Sequence, residues 1–167
     1  MARPKVYIET SFVSYLTAWP SRDVIMHGHQ QVTREWWQKR RADFDLYTSQ
    51  LVIREASQGD PEAVKARLDV LATMTALTLD PEADALAAEL LRAGALPAKA
   101  KEDALHIALA AVYGIEYVLT WNCRHMANLA MRGKIEAVCR AAGFAPPGIC
   151  TPEMLLGEAA DDPRSDR

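Results

Sequence analysis

The run from Lys101 to Asn122 constrains the chain more than any other stretch. From Ala104 to Val112 nearly every residue is apolar, and a helix apolar on all sides must be buried on all sides. Gly114 supplies the stop that ends such a helix. Tyr117-Val118-Leu119-Thr120 then forms a short β-prone run without polar alternation, the pattern of a strand covered on both faces. Polar groups remain at the ends of this unit: Asp103 in the first helical turn, and Asn122 just past the strand. A carboxylate at the mouth of a core helix, feeding a strand that ends in an amide, marks a candidate site.

The 167 residues suffice for one domain with a full core. Half of them are hydrophobic and a quarter charged, as in ordinary soluble proteins. Met1-Ala2-Arg3-Pro4-Lys5 is not followed by a signal-peptide apolar segment. No apolar run approaches the roughly 20 residues of a membrane helix. The expected location is the cytoplasm, with no membrane partner. Cys123, Cys139 and Cys150 show no metal-binding spacing and read as reduced, mostly buried thiols. A net charge of −3 argues against broad electrostatic binding of nucleic acid. It leaves room for a nuclease, whose acidic metal site lowers the net charge while patches such as Lys39-Arg40-Arg41 persist. Cations at a helix end also offset the macrodipole, the simpler account of that patch.

Along the chain, Lys5-Val6-Tyr7-Ile8-Glu9 is a strand, with Glu9 at its carboxyl end. Thr10 or Ser11 can cap the helix that follows, whose apolar face includes Phe12, Val13, Tyr15, Leu16 and Trp19. Asp23 caps a long helix to about Arg41, with Ile25, Val32 and Trp36 on its buried side and His27 and His29 on the surface. Asp45-Leu46-Tyr47-Thr48 is a second strand. Ser49 caps the next helix, which carries Glu55. Asp60-Pro61-Glu62 and Asp80-Pro81-Glu82 are helix starts, a cap followed by proline at the first helical position. Thr75 to Leu79 is a third strand. After Asn122, helices are expected over Arg124 to Met131 and Ile135 to Ala142, then an edge strand at Ile149-Cys150 and a short helix at Met154 to Leu156. Residues 158–167 read as a disordered tail after a domain over 1–157.

Strands alternating with helices imply parallel βαβ units, and ligands of such sheets bind beyond the carboxyl ends of the strands. Glu9 and Asn122 lie at such ends; Glu55 and Asp103 lie in or near helix starts that face the same edge. Alone, each is more often a surface charge or a cap. Together they favour a metal site.

Four segments carry a resemblance. Val6-Tyr7-Ile8-Glu9-Thr10-Ser11, Val52-Ile53-Arg54-Glu55-Ala56 with Gly59-Asp60, Glu102-Asp103-Ala104-Leu105-His106-Ile107-Ala108 and Leu119-Thr120-Trp121-Asn122 resemble, in order, the motifs of PIN-domain proteins. The nearest branch is the VapC-like ribonucleases of type II toxin–antitoxin pairs. The likeness spans Lys5 to Leu156. It implies a three-layer α/β/α sandwich with a central parallel sheet of four to five strands. It also implies Mg²⁺- or Mn²⁺-dependent cleavage of RNA, homodimerisation, and inhibition by a small antitoxin protein. The family's acidic cluster maps onto Glu9, Glu55, Asp103 and Asn122, with Thr10 or Ser11 as the hydroxyl residue near the metal. Two positions depart from the pattern: the first acid, usually aspartate, is Glu9, and the fourth, often aspartate, is the neutral Asn122.

The implied chemistry is phosphodiester hydrolysis at a hard cation with oxygen ligands. Glu9 and Asp103 are direct ligands in this reading, Glu55 a ligand or water-orienting base, and Asn122 a ligand through water. His125 and Arg124 follow Asn122 as candidate phosphate contacts. His106, one turn beyond Asp103, reads as a buried, hydrogen-bonded core histidine. The rival reading is a catalytically weak or inactive PIN-like module that binds RNA or a protein partner. A haloacid-dehalogenase-like phosphatase requires aspartates where Glu9 and Ser11 stand. A dinucleotide site requires a glycine-rich loop after the first strand.

Overall fold

The computed structural model describes residues 2–157; the expected tail over 158–167 lies outside the described residues. Two apolar segments form the centre. In β1 (Lys5–Ile8), Val6, Tyr7 and Ile8 have no exposed surface, and in β4 (Tyr117–Leu119) Val118 and Leu119 have none. Strands this uniformly apolar need cover on both faces, and they lie side by side in the middle of the sheet. With β2 (Asp45–Ser49), β3 (Thr75–Leu77) and β5 (Gly148–Cys150) they make a five-stranded parallel sheet of order β3-β2-β1-β4-β5. Tyr7 sits in register with Tyr47 on one side and Val118 on the other.

The order reverses at β1: the chain grows outward through β2 and β3, then returns to add β4 and β5 on the other side. Right-handed crossovers place the helices of the two halves on opposite faces. In the first half α1 (Thr10–Thr17) packs on α2 (Val24–Lys39), α3 (Gln50–Ala56) and α4 (Pro61–Leu71); in the second, α5 (Pro81–Arg92) packs on α6 (Lys101–Val112) and α7 (Leu129–Ala141). The result is a three-layer α/β/α sandwich. Among the described residues no helix is long and apolar enough to cross a membrane.

Capping follows the sequence. Side chains of Asp23, Ser49, Asp60 and Asp80 accept from the first-turn amides of α2, α3, α4 and α5. At the end of α6, Gly114 takes φ +68° while its N–H donates to Ala111 O and that of Ile115 to Ala110 O, closing the helix with two reversed bonds. Helix α6 buries Ala104 and the whole run His106 to Ala111. Cys139 and Cys150 are buried, and burial pushes their thiols up to about 11 and about 12; Cys123 is exposed.

Four expectations are corrected. Arg124 to Met131 is not a separate helix: Asn122 starts a turn, its Oδ1 accepting from His125 N and its carbonyl from Ala127 N. The single helix α7 begins only after Asn128, which caps it. Asparagine competes for backbone donors in this way, and so stops helices as readily as it starts them. Trp19 is 90% exposed rather than packed, because α1 ends at Thr17 and the residue before Pro20 is driven out of helical geometry. Ile25 is exposed too; α2 buries the expected Trp36 together with Gln30 and Thr33, and Val32 is half-buried. The last element is a 3-10 turn over Pro152–Leu155 rather than a helix at Met154 to Leu156.

Candidate metal centre

The order reverses at β1, so the carboxyl ends of β1 and β4 form the switch point, where open parallel sheets hold ligands in a crevice. Glu9 stands in it directly after β1. It, and not Thr10 or Ser11, is the N-cap of α1: its Oε2 accepts from Ser11 N at 3.0 Å. The same oxygen accepts from Ser11 Oγ, and from Thr120 Oγ1 at 2.8 Å. Each hydroxyl in turn receives a backbone N–H from the segment after β4, Ser11 Oγ from Trp121 and Thr120 Oγ1 from Asn122. Two backbone dipoles are thus relayed through two hydroxyls onto one carboxylate oxygen. Glu9 is 7% exposed, and its other oxygen accepts no hydrogen bond from the described residues.

Glu55 reaches the crevice from the last turn of α3. Its Oε1 accepts from Thr10 Oγ1 at 2.6 Å and pairs with His106 Nε2 at 2.7 Å; its Oε2 accepts from no backbone amide, hydroxyl or imidazole among the described residues, and the Glu102 carboxyl stands beside the group. Thr10 and Ser11 are neighbours in α1, and each holds a different carboxylate. Burial would raise the Glu55 carboxyl, but the hydrogen bond and charge of His106, with help from Thr10, outweigh it and hold the pKa below the ordinary range. Burial likewise would lower the His106 pKa. The Glu55 hydrogen bond and the charges of Glu9, Glu55 and Asp103 raise it instead.

Ligand atoms of Glu9, Glu55 and His106 come within 4.8 Å of one another. The other anticipated residues gather beside this group. Asp103 Oδ2 pairs with His125 Nδ1 at 2.9 Å, and Asn122 turns its Oδ1 to the His125 N–H. Arg124 is exposed, and among the described residues its guanidinium has no hydrogen-bond partner. The crevice therefore holds two linked parts, an inner Glu9–Glu55–His106 group and an outer Asp103–His125 pair. Helix α6 joins them, because Asp103 and His106 are three residues apart and share a face. No lysine or arginine pairs with any of these carboxylates among the described residues.

Sequence reasoning placed His106 in the core without making it a member of the site; it is both, at 1% exposure. Its spacing from Asp103 was the available signal. Tyr7 was missed altogether, although it lies in β1 two residues before the extended Glu9, the spacing that puts side chains on one side. Nor is His29 a free surface residue: its ring stacks on Trp121 at 4.2 Å, while Trp121 Nε1 donates to Thr33 Oγ1.

Together these features define a class: a doubly wound parallel α/β domain with an acid–imidazole cluster at its switch point. Among solved structures the fold is similar to that of the Mycobacterium tuberculosis toxin VapC20, described as cleaving the sarcin–ricin loop. The TM-score is 0.54, covering 84% of this chain and 96% of that one at 19% sequence identity. At this identity the likeness is one of fold. No family model and no curated protein matches the sequence.

Proposed function

We propose that this chain is a divalent-metal-dependent ribonuclease of the VapC-like PIN type, the toxin of a type II toxin–antitoxin pair, acting in the cytoplasm as a homodimer. One observation carries the reading. Glu9 and Glu55 come from different elements, and each has one oxygen saturated by protein donors and one without any. One buried and one half-buried carboxylate so arranged, with no lysine or arginine paired to them among the described residues, suit a bound metal ion. A donor set of carboxylate oxygens completed by water suits Mg²⁺ or Mn²⁺. Glu9 and Glu55 would hold the ion, with Asp103 entering the set on release from His125. When bound, the ion would activate water and stabilise the departing 3′ oxygen of RNA. Glu55 would serve as a ligand or, in place of that, as the base that orients the water, and Asn122 holds the backbone of His125 through its side chain. The exposed apolar corner of Trp19, Val24 and Ile25 supports association with another protein surface.

The test is cleavage of structured RNA by the purified protein with Mg²⁺ or Mn²⁺. Glu55→Gln and Asp103→Asn should each abolish it. Undiminished cleavage in EDTA overturns the metal reading. A second reading, an inactive module that binds RNA or a protein partner, draws on the Asp103–His125 pair and on the neutral Asn122. It predicts no heat of Mn²⁺ binding by calorimetry.

A further inference from the structure

The inner cluster is held from beneath by a chain of buried polar groups. Ser49 Oγ lies 2.8 Å from Tyr7 OH, Tyr7 OH lies 2.6 Å from His106 Nδ1, and His106 Nε2 lies 2.7 Å from Glu55 Oε1. Tyr7 and Ser49 have no exposed surface and His106 has 1%. We propose that Tyr7 and His106 are positioning residues: through this chain they fix the Glu55 carboxylate so that its donor-free oxygen serves the same ligand as Glu9. The inference rests on the metal-site reading above.

Both ends of the chain attach to α3, one at its N-cap and one in its last turn. Ser49 caps that helix by accepting from Val52 N, and Glu55 lies in its last turn. The middle belongs to β1, which leads into Glu9, and to α6, which carries Asp103. A seven-residue helix has too few internal bonds to hold its own last turn. The chain pins that turn to the elements bearing the other acids.

The direction of the bonds makes the clamp permanent. An ionised carboxylate only accepts, so Nε2 carries the hydrogen in the bond to Glu55. Nδ1 faces a hydroxyl that can either give or receive, and behind it stands a second hydroxyl with the same freedom. When Nδ1 accepts, Tyr7 donates to it and Ser49 donates to Tyr7. When Nδ1 donates, Tyr7 turns its hydrogen to Ser49. The donor offered to Glu55 is the same in both arrangements. His106 also lies deeper than Glu55, whose side chain is 23% exposed, as befits a group that supports a ligand from behind.

The experiment is Mn²⁺ titration by calorimetry of the full chain, with Mn²⁺ pulsed EPR and proton NMR of the metal-free protein. Wild type should bind Mn²⁺ without imidazole nitrogen coupling, and the His106 Nε2 proton should give a slowly exchanging downfield resonance. Tyr7→Phe keeps the ring and removes the hydroxyl; it should shift that resonance and weaken Mn²⁺ about 3–10-fold. His106→Leu should weaken it about 10–100-fold, as losses of groups behind metal ligands do. His106→Gln, which restores an N–H near the Nε2 position, should recover most of the affinity. Thermal melts confirm that each variant is folded. Unchanged Mn²⁺ affinity in folded Tyr7→Phe and His106→Leu overturns the proposal, as does nitrogen coupling, which would make His106 a direct ligand. A wild type that shows the resonance and binds no Mn²⁺ fails the metal reading alone. A wild type that binds Mn²⁺ without the resonance fails the clamp alone.

Discussion

At the scale of single residues, Glu55 and His106 tie stability to pH from both sides. The Glu55 pKa is lowered in the folded protein, so its contribution is present above the ordinary value of 4.5 and is lost as pH falls through the lower folded value. The His106 pKa is raised. Its contribution is present below the ordinary value of 6.5 and fades as pH rises toward the higher folded value. The melting temperature of metal-free protein should therefore be highest between these limits. His106→Gln should flatten the alkaline arm, and an unchanged arm would show that the imidazole does not titrate with folding. The acids of this site were legible in the sequence as strand-end and helix-start carboxylates. Their hydrogen-bond partners were not, because Thr120 and Tyr7 look like ordinary strand residues. What distinguishes them is contact across 111 and 99 positions of chain, which no local pattern encodes.

At the scale of elements, the strongest signals were those with a physical punctuation mark. Ser49, Asp60 and Asp80 start their helices where the sequence places them, because a short polar side chain satisfies first-turn amides and, after Asp60 and Asp80, a proline presets the helical geometry. Gly114 ends α6 for a similar reason. A Cβ there would meet nothing within 4 Å, so Gly114→Ala isolates the backbone penalty of left-handed geometry. It should cost about 1–2 kcal/mol in a urea melt, and a cost near zero would mean that the closure relaxes. Periodicity without punctuation misled. Arg124 to Met131 has helical composition, but the side chain of Asn122 takes the amide of His125. That makes a turn of the segment, the turn that brings His125 against Asp103.

At the scale of the molecule, the alternation of strands and helices was sufficient for a parallel sandwich, and the reversal of strand order at β1 locates the crevice. A ligand that binds only the folded state adds about 2.7 kcal/mol when present at a hundred times its dissociation constant. Mn²⁺ at such excess should raise the melting temperature by several degrees, EDTA should reverse the shift, and Glu9→Gln should remove it. Indifference of the wild-type melt to Mn²⁺ would count against a metal site of useful affinity. The Glu9 variant also tests the order of assembly, since that carboxylate caps α1 as well as facing the crevice. Glutamine keeps an oxygen able to accept from Ser11 N, so the loss of metal-free stability should stay below the roughly 1 kcal/mol of a missing cap.

The dependence of Glu9 on Thr120 has a temporal consequence. A polypeptide emerges from its amino end, and domains fold as units once enough chain is available. Glu9 and Glu55 leave the ribosome early, but the hydroxyl of Thr120 and the imidazole of His106 are made much later, and β1 has no neighbour on one side until β4 arrives. A nascent chain shorter than about 120 residues therefore carries the acids without the framework that aims them. The acids stay unaimed until the chain through Thr120 has been made.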